Sequence, residues 1–196
     1  MITAIILAAG ESRRMGGQNK LLLPIFGEVL IQKFVRSIRA SNVDEVLVVV
    51  GHEEEKIKDV LKGQSVRFVE NFCYMEGMTT SIQSGIQAAS PESDGLLICL
   101  ADLPFIETSD FNRLICSFTD FFDTKSSLII VPVFKGQRGN PVLFSNQFRE
   151  IILQHKGEGC RDIVQKHPEC VREVTMENDN VLLDLDTPED FKLFCA

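Results

Sequence analysis

Three stretches hold the residues whose types and spacing can do chemistry. The first, AAGESRRMGGQNK (residues 8–20), leaves an apolar run through two alanines and a glycine, then adds Arg14 and Lys20. Ala8, Ala9 and Gly10 have little or no side chain, so backbone N–H groups there can approach a ligand closely. Such N–H groups favour anions, and with two cations nearby the natural guest is a phosphate chain. A GK[ST] phosphate loop is excluded, because Gly16 is followed by Gly17 and Gln18; the GxGxxG dinucleotide fingerprint is absent too. The second stretch, LADLP (100–104), ends an apolar run on a carboxylate, Asp102. The third, DLDTPED (184–190), offers Asp184 and Asp186. If residues 181–186 form a strand, its period of two puts both acids on one face. Carboxylates near a phosphate site suit Mg²⁺, which takes a few of them plus phosphate oxygens and water. The plainer readings are a strand-end turn former for Asp102 and a helix N-cap for Asp186.

Apolar strands alternating with helical patterns must position these groups. Strands are expected at TAIILAA, at the β-branched run EVLVVVG, at SVRFVEN, GLLICLAD, SLIIVPVF, PVLFS and VLLDLD. Helices are expected at 28–40, with Val29, Leu30, Phe34, Val35 and Ile38 on one side, and at 53–63. Others fall at 79–89, at 109–118 with Ser109 or Thr108 as cap, near 146–154 and 160–166, and at 187–194. This alternation implies right-handed βαβ units, hence a three-layer α/β/α architecture around a mostly parallel sheet. KGQRGN (135–140) breaks the pattern and predicts a loop or hairpin. The 196 residues, without linker or repeat, read as one domain spanning 1–196.

Composition excludes several classes. A net charge of −8 argues against a nucleic-acid binder, so an anion site must be local. The six cysteines (73, 99, 116, 160, 170 and 195) form no CxxC pair, which fits a reducing cytoplasm and argues against a disulfide framework or zinc site. Nothing approaches the ~18 apolar residues of a membrane span. His52, His155 and His167 are isolated and suggest no ligand triad.

LAAGESRRM with a downstream lysine resembles the signature of Rossmann-like nucleotidyltransferases of the nucleotide-diphospho-sugar transferase type. The chain is most similar to the molybdenum cofactor cytidylyltransferases and their MobA-like guanylyltransferase relatives. LADLP and DLDTPED match further family elements, and the resemblance runs from Ile5 to Phe191. It implies that Leu7, Ala8, Ala9, Gly10, Glu11 and Ser12 wrap a triphosphate that Arg14 and Lys20 neutralise. It implies Mg²⁺ on Asp102 and on Asp186, with Asp184 the other choice for the second ligand. MEGMTTSIQSG resembles the nucleobase segment, implying Gly77, Thr80 and Ser81 as base contacts. Asn140, in RGNPV where relatives often carry histidine, and Arg161, in the partial match GEGCR, fall on the acceptor side.

The activity so implied is transfer of a nucleoside monophosphate to a phosphorylated acceptor with loss of pyrophosphate. CTP is favoured by Ala9 and GMTTS, and molybdopterin is the acceptor, with a molybdoenzyme receiving the product. The Gly16-to-Lys20 spacing is nearer the guanylyl form. A sugar phosphate or other phospho-alcohol is the alternative acceptor, and a non-catalytic delivery module is the alternative of another class.

Overall fold

The computed structural model describes residues 1–124 and 127–194. The chain runs β1 (Ile2–Ala8), then 3-10 turns at Arg13–Met15 and Lys20–Leu22, and a small hairpin of β2 (Pro24–Ile25) and β3 (Glu28–Val29). Next come α1 (Leu30–Arg39), β4 (Glu45–Val50), α2 (Glu54–Val60), β5 (Arg67–Glu70), α3 (Met78–Ala88), β6 (Gly95–Leu100) and α4 (Thr108–Phe121). The remainder is β7 (Ile129–Phe134), β8 (Gln137–Arg138), β9 (Val142–Ser145), α5 (Arg149–Leu153), α6 (Arg161–Lys166), β10 (Val171–Thr175) and α7 (Pro188–Phe194).

The main sheet has the order β10-β7-β9-β6-β1-β4-β5, with β8 hairpinned onto β7. Along this order every neighbouring pair is parallel except those made by β9, which runs antiparallel to both β6 and β7; β8 is also antiparallel to β7. The sheet is therefore mostly parallel, as expected. Alternation along β1 explains the three layers: Ala4 and Ile6 face α1 and α4 through Leu30, Phe34, Phe111 and Leu114. Ile5 faces the other way, onto Ile82 and Ile86 of α3 and Phe148 and Ile152 around α5. Helix α3 lies close on β1 because Gly85 carries no side chain; a Cβ there would sit 2.3 Å from Ile5 Cγ2. That approach fixes the height at which the start of α3 emerges at the carboxyl edge of the sheet.

Three expectations need correction. Residues 181–186 are turn and coil rather than a strand. A turn from Leu182 N to Asp179 O opens the segment, and isolated backbone bonds replace a ladder: Asn140 N to Val181 O and Leu185 N to Asp102 O. Helix α4 is capped not by Ser109 or Thr108 but by Glu107, in a reciprocal box with Asp110; the Thr108 hydroxyl is engaged by Ser37 O instead. Strand β10 was not anticipated, since VREVT is largely exposed at the sheet edge and lacks an apolar run. The KGQRGN irregularity is the β7–β8 hairpin, pairing Val133 with Arg138. Five cysteines are free thiols and Cys195 lies outside the described residues. Among the described residues no helix is long and apolar enough to cross a membrane.

Candidate active site

The loop after β1 leaves the sheet at its carboxyl edge, where ligands of open α/β sheets bind. Ala8 and Ala9 are buried and Gly10 is exposed. Ala9 O accepts from His52 N, which ties the loop to the end of β4. Ser12 adopts a left-handed conformation (φ 52°) and its hydroxyl accepts from Lys20 N, closing the loop on itself. Asn19, almost fully buried, caps the turn that carries Lys20 by accepting from Leu21 N. These contacts aim Lys20 inward.

Lys20 Nζ donates to Asp102 Oδ2 at 2.5 Å and to Asp186 Oδ1 at 2.7 Å. Arg14 Nη1 lies 2.7 Å from the other Asp186 oxygen, Oδ2. The Lys20 side chain is only 15% exposed, whereas that of Arg14 is 71% exposed. Arg13 pairs instead with Glu11 within the loop. Burial disfavours charge on Lys20, but attraction and hydrogen bonds from Asp102 and Asp186 outweigh it and raise the pKa above the usual 10.5. Lys20 is therefore a cation throughout the physiological range.

The backbone bond from Leu185 N to Asp102 O sets the two acidic segments side by side. Asp186 is free to join because it does not cap α7. Thr187 does so, in a reciprocal box with Asp190: Thr187 N donates to Asp190 Oδ2 and Asp190 N to Thr187 Oγ1. Pro188 then starts the helix where a missing N–H costs nothing. The N-cap reading of Asp186 is thereby replaced.

Asp102 Oδ1 is buried and has no hydrogen-bond partner among the described residues. An unpaired buried carboxylate oxygen is costly, and the nearby donors are hard carboxylate oxygens. That set fits a hard divalent ion such as Mg²⁺. Asp102 and Asp186 would hold it.

Asp184 is exposed, yet its carboxyl pKa is raised, by partial burial and then by repulsion from Asp186 and Asp102. A raised acid pKa means folding disfavours the charged form, so the destabilisation is absent below about pH 3.8 and fully present above the folded pKa. Solvent screening keeps it small. Asp184→Asn is expected to raise the Tm of the metal-free protein by about 1–2 °C at neutral pH, with the gain shrinking as pH falls. Calorimetry at two pH values checks this; a lower Tm at pH 7 would contradict the repulsion.

The other expected residues fall into two groups. Gly77 precedes α3, and Thr80 and Ser81 lie in its first turn. Both hydroxyls accept from Asn71 Nδ2 at 2.9 Å, and Thr80 Oγ1 is within donating distance of Cys73 O and Gly77 O. Their present role is to hold the segment 71–77 in place. A cavity of about 460 Å³, lined by Gly51, Asn71, Phe72 and Tyr74 among others, opens beside this segment. Asn140 and Arg161 stand outside the ion-pair network of Lys20. Asn140 bonds Val181 O through its backbone, and Arg161 is the exposed first residue of α6. Sequence reasoning missed Asn19, Asn71, Thr79 and Gln83. Asn19 was legible as an Asx cap two residues before Leu21, but the others act through distant contacts.

Comparison with known proteins gives the family and the fold. Residues 4–171 match the family described as the MobA-like NTP transferase domain. The chain is 30% identical to the purine catabolism protein PucB of Bacillus subtilis over 202 residues, covering 98% of this chain and 95% of that protein. A nucleotidyl transferase from Methanothermobacter thermautotroptrophicus superposes with a TM-score of 0.86 at 23% identity, over 100% of this chain and 96% of the other. Rv0371c from Mycobacterium tuberculosis, solved in complex with manganese, superposes with a TM-score of 0.81 at 21% identity, over 99% and 97%. With the family matched along most of its length and the same fold carried by a nucleotidyl transferase, the chain belongs to the MobA-like NTP transferase family.

Proposed function

We propose that this chain is a Mg²⁺-dependent cytidylyltransferase that transfers CMP from CTP to the phosphate of molybdopterin, giving a cytosine dinucleotide cofactor. The observation that carries the reading is the Lys20–Asp102–Asp186 cluster, with Arg14 at its rim, beside a small-residue loop at the carboxyl end of β1. An oxygen of the acceptor phosphate attacks the α-phosphorus in line. The bond from the α-phosphorus to the bridging oxygen breaks and pyrophosphate leaves with that electron pair. The acceptor phosphate is already an anion at neutral pH, so no side chain need remove a proton. What this chain contributes is positioning and charge neutralisation. Backbone N–H groups of the loop at residues 8–12 cradle the triphosphate, while Lys20 and Arg14 offset charge developing on the leaving group. Mg²⁺ on Asp102 and Asp186, when bound, supplies further neutralisation of the phosphate oxygens.

The test is pyrophosphate release with each of CTP, GTP, ATP and UTP, with molybdopterin or a sugar phosphate as acceptor. Release only with a sugar phosphate would move the acceptor assignment. Binding of the pterin without release under any pairing would favour a delivery module that hands a cofactor to a molybdoenzyme. The intact set of cations and acids opposes that alternative, since binding alone does not require the metal acids.

The base preference rests on the GMTTS segment with Thr80 and Ser81, and on Ala9, which is 2% exposed at the loop entry. A methyl there takes space that a glycine would leave for a purine. CTP is therefore expected to exceed GTP in kcat/KM, and Ala9→Gly to narrow the ratio by about tenfold, the worth of a methylene-sized change in a pocket. A wild-type preference for GTP would overturn the assignment. An unchanged ratio in the variant would remove the steric explanation.

A further inference from the structure

Helix α3 bonds to two different loops through neighbouring residues of one turn. On one side Thr80 and Ser81 hold Asn71, and with it the segment 71–77. On the other side Thr79 Oγ1 donates to Gly157 O and accepts from Gly159 N at 2.9 Å. One turn further on, Gln83 Nε2 lies 2.9–3.1 Å from the carbonyl oxygens of Ile152, Leu153 and His155. Helix-end carbonyls lack intrahelical partners, so Gln83 satisfies the end of α5 and fixes where the following loop starts. Gly159 is buried and adopts φ +67°, and a Cβ there would lie 3.4 Å from Met78 Sδ. The loop 157–160 is thus seated on the first turn of α3.

This loop carries charge with no use elsewhere in the fold. Lys156 and Arg161 flank it; both are exposed and neither makes an ion pair among the described residues. Glu158, exposed within the loop, carries the opposite charge, and Asp162 lies 2.9 Å from His155 and 3.6 Å from Lys166. Two unpaired cations on a loop held at the carboxyl edge suit a phosphorylated substrate.

We infer that Thr79 is a positioning residue that transmits nucleotide occupancy to the loop 157–161, setting Arg161 for the phosphate of the second substrate. The inference rests on the nucleotide reading above. It adds an order: the nucleotide settles the start of α3 first, and the second phosphate then meets a loop already placed. A hydroxyl that both donates and accepts is needed, so serine can replace threonine and valine, of equal shape, cannot.

Amide hydrogen exchange on the whole chain with Mg²⁺ and CTP tests this without any acceptor. In the wild type CTP is expected to slow exchange about tenfold both at residues 8–20 and at 157–161. In Thr79→Val the slowing at 8–20 persists and that at 157–161 is lost; in Thr79→Ser both are present. Slowing at 8–20 alone in the wild type overturns the coupling while leaving the nucleotide site standing. So does undiminished slowing at 157–161 in Thr79→Val. Slowing at neither segment, with CTP or with GTP, overturns the nucleotide reading and the coupling together.

Discussion

Replacing Asp102 with alanine is expected to lower metal-dependent pyrophosphate release by at least about 10³-fold, the scale of losing preorganised charge stabilisation in phosphoryl transfer, while the fold survives. The carboxylate has two oxygens with different duties. Oδ2 meets Lys20, and Oδ1, although buried, has no hydrogen-bond partner among the described residues. Removing the side chain therefore leaves only one donor, Lys20, with fewer partners, and Lys20 keeps Asp186 at 2.7 Å. The contact that joins the two acidic segments is between backbone atoms, Leu185 N and Asp102 O, and a Cβ-only residue retains it. Loss of one negative charge also relieves the repulsion felt by Asp184. Thermal stability should consequently stay within about 0.5–1 kcal/mol of wild type, and Mn²⁺ binding followed by electron paramagnetic resonance should weaken in parallel with turnover. Asp186→Ala should act similarly and also free Arg14, whereas Asp184→Ala should be milder. If turnover survives in Asp102→Ala, the metal assignment fails; if Asp184→Ala is the more damaging of the other two, the second ligand moves by two residues.

How well the sequence foretold these groups depended on the range of the interactions involved. Asp102 was legible because an apolar run ending in a carboxylate and then proline can hardly be anything but a strand end. The loop 8–20 was legible for a similar local reason, in its small residues and paired cations. Asp184 and Asp186 were found by an argument that was half correct. The backbone at 181–186 is not a strand and its burial does not alternate: Val181 and Leu185 are inside, Leu182 packs on the core, and Asp184 is outside. Two backbone bonds, at Val181 and at Leu185, anchor this coil and bring Asp186 beside Asp102 without a ladder. What remained hidden lay between distant segments. Lys20 and Asp186 are 166 residues apart, and Thr79 and Gly157 are 78 apart. No periodicity reports such pairings. Strand β10 was hidden for the opposite reason, since an exposed edge strand need not show an apolar pattern.

Lys20→Ala should produce two effects of opposite sign, and the combination separates it from simple loss of a cation. Turnover should fall by about 10²–10³-fold, equivalent to about 3–4 kcal/mol, the usual loss when one preorganised group stops stabilising developing charge. Yet in the absence of nucleotide the variant should bind Mn²⁺ more tightly than wild type, by about tenfold. The reason is geometric. The ammonium stands between Asp102 Oδ2 and Asp186 Oδ1, on the two carboxylates a divalent ion must also use. With its pKa raised, Lys20 keeps its charge; the attraction is fully present below pH 10.5 and fades only as pH climbs through the folded-state value. A free ion must displace it. A metal arriving with a triphosphate meets less opposition, because the phosphates offer the ammonium a new partner. The wild type should therefore show strong mutual enhancement between metal and CTP, and Lys20→Ala should show little. Removing the ammonium also leaves Asp102 and Asp186 facing each other with only the exposed Arg14 between them and solvent. The variant's Tm should then drop without metal and recover on adding Mn²⁺, by mass action on the native state. Turnover within a factor of two of wild type would show that Lys20 leaves the transferring phosphates alone. Mn²⁺ affinity unchanged or weakened without nucleotide would show that the ammonium and the metal do not compete.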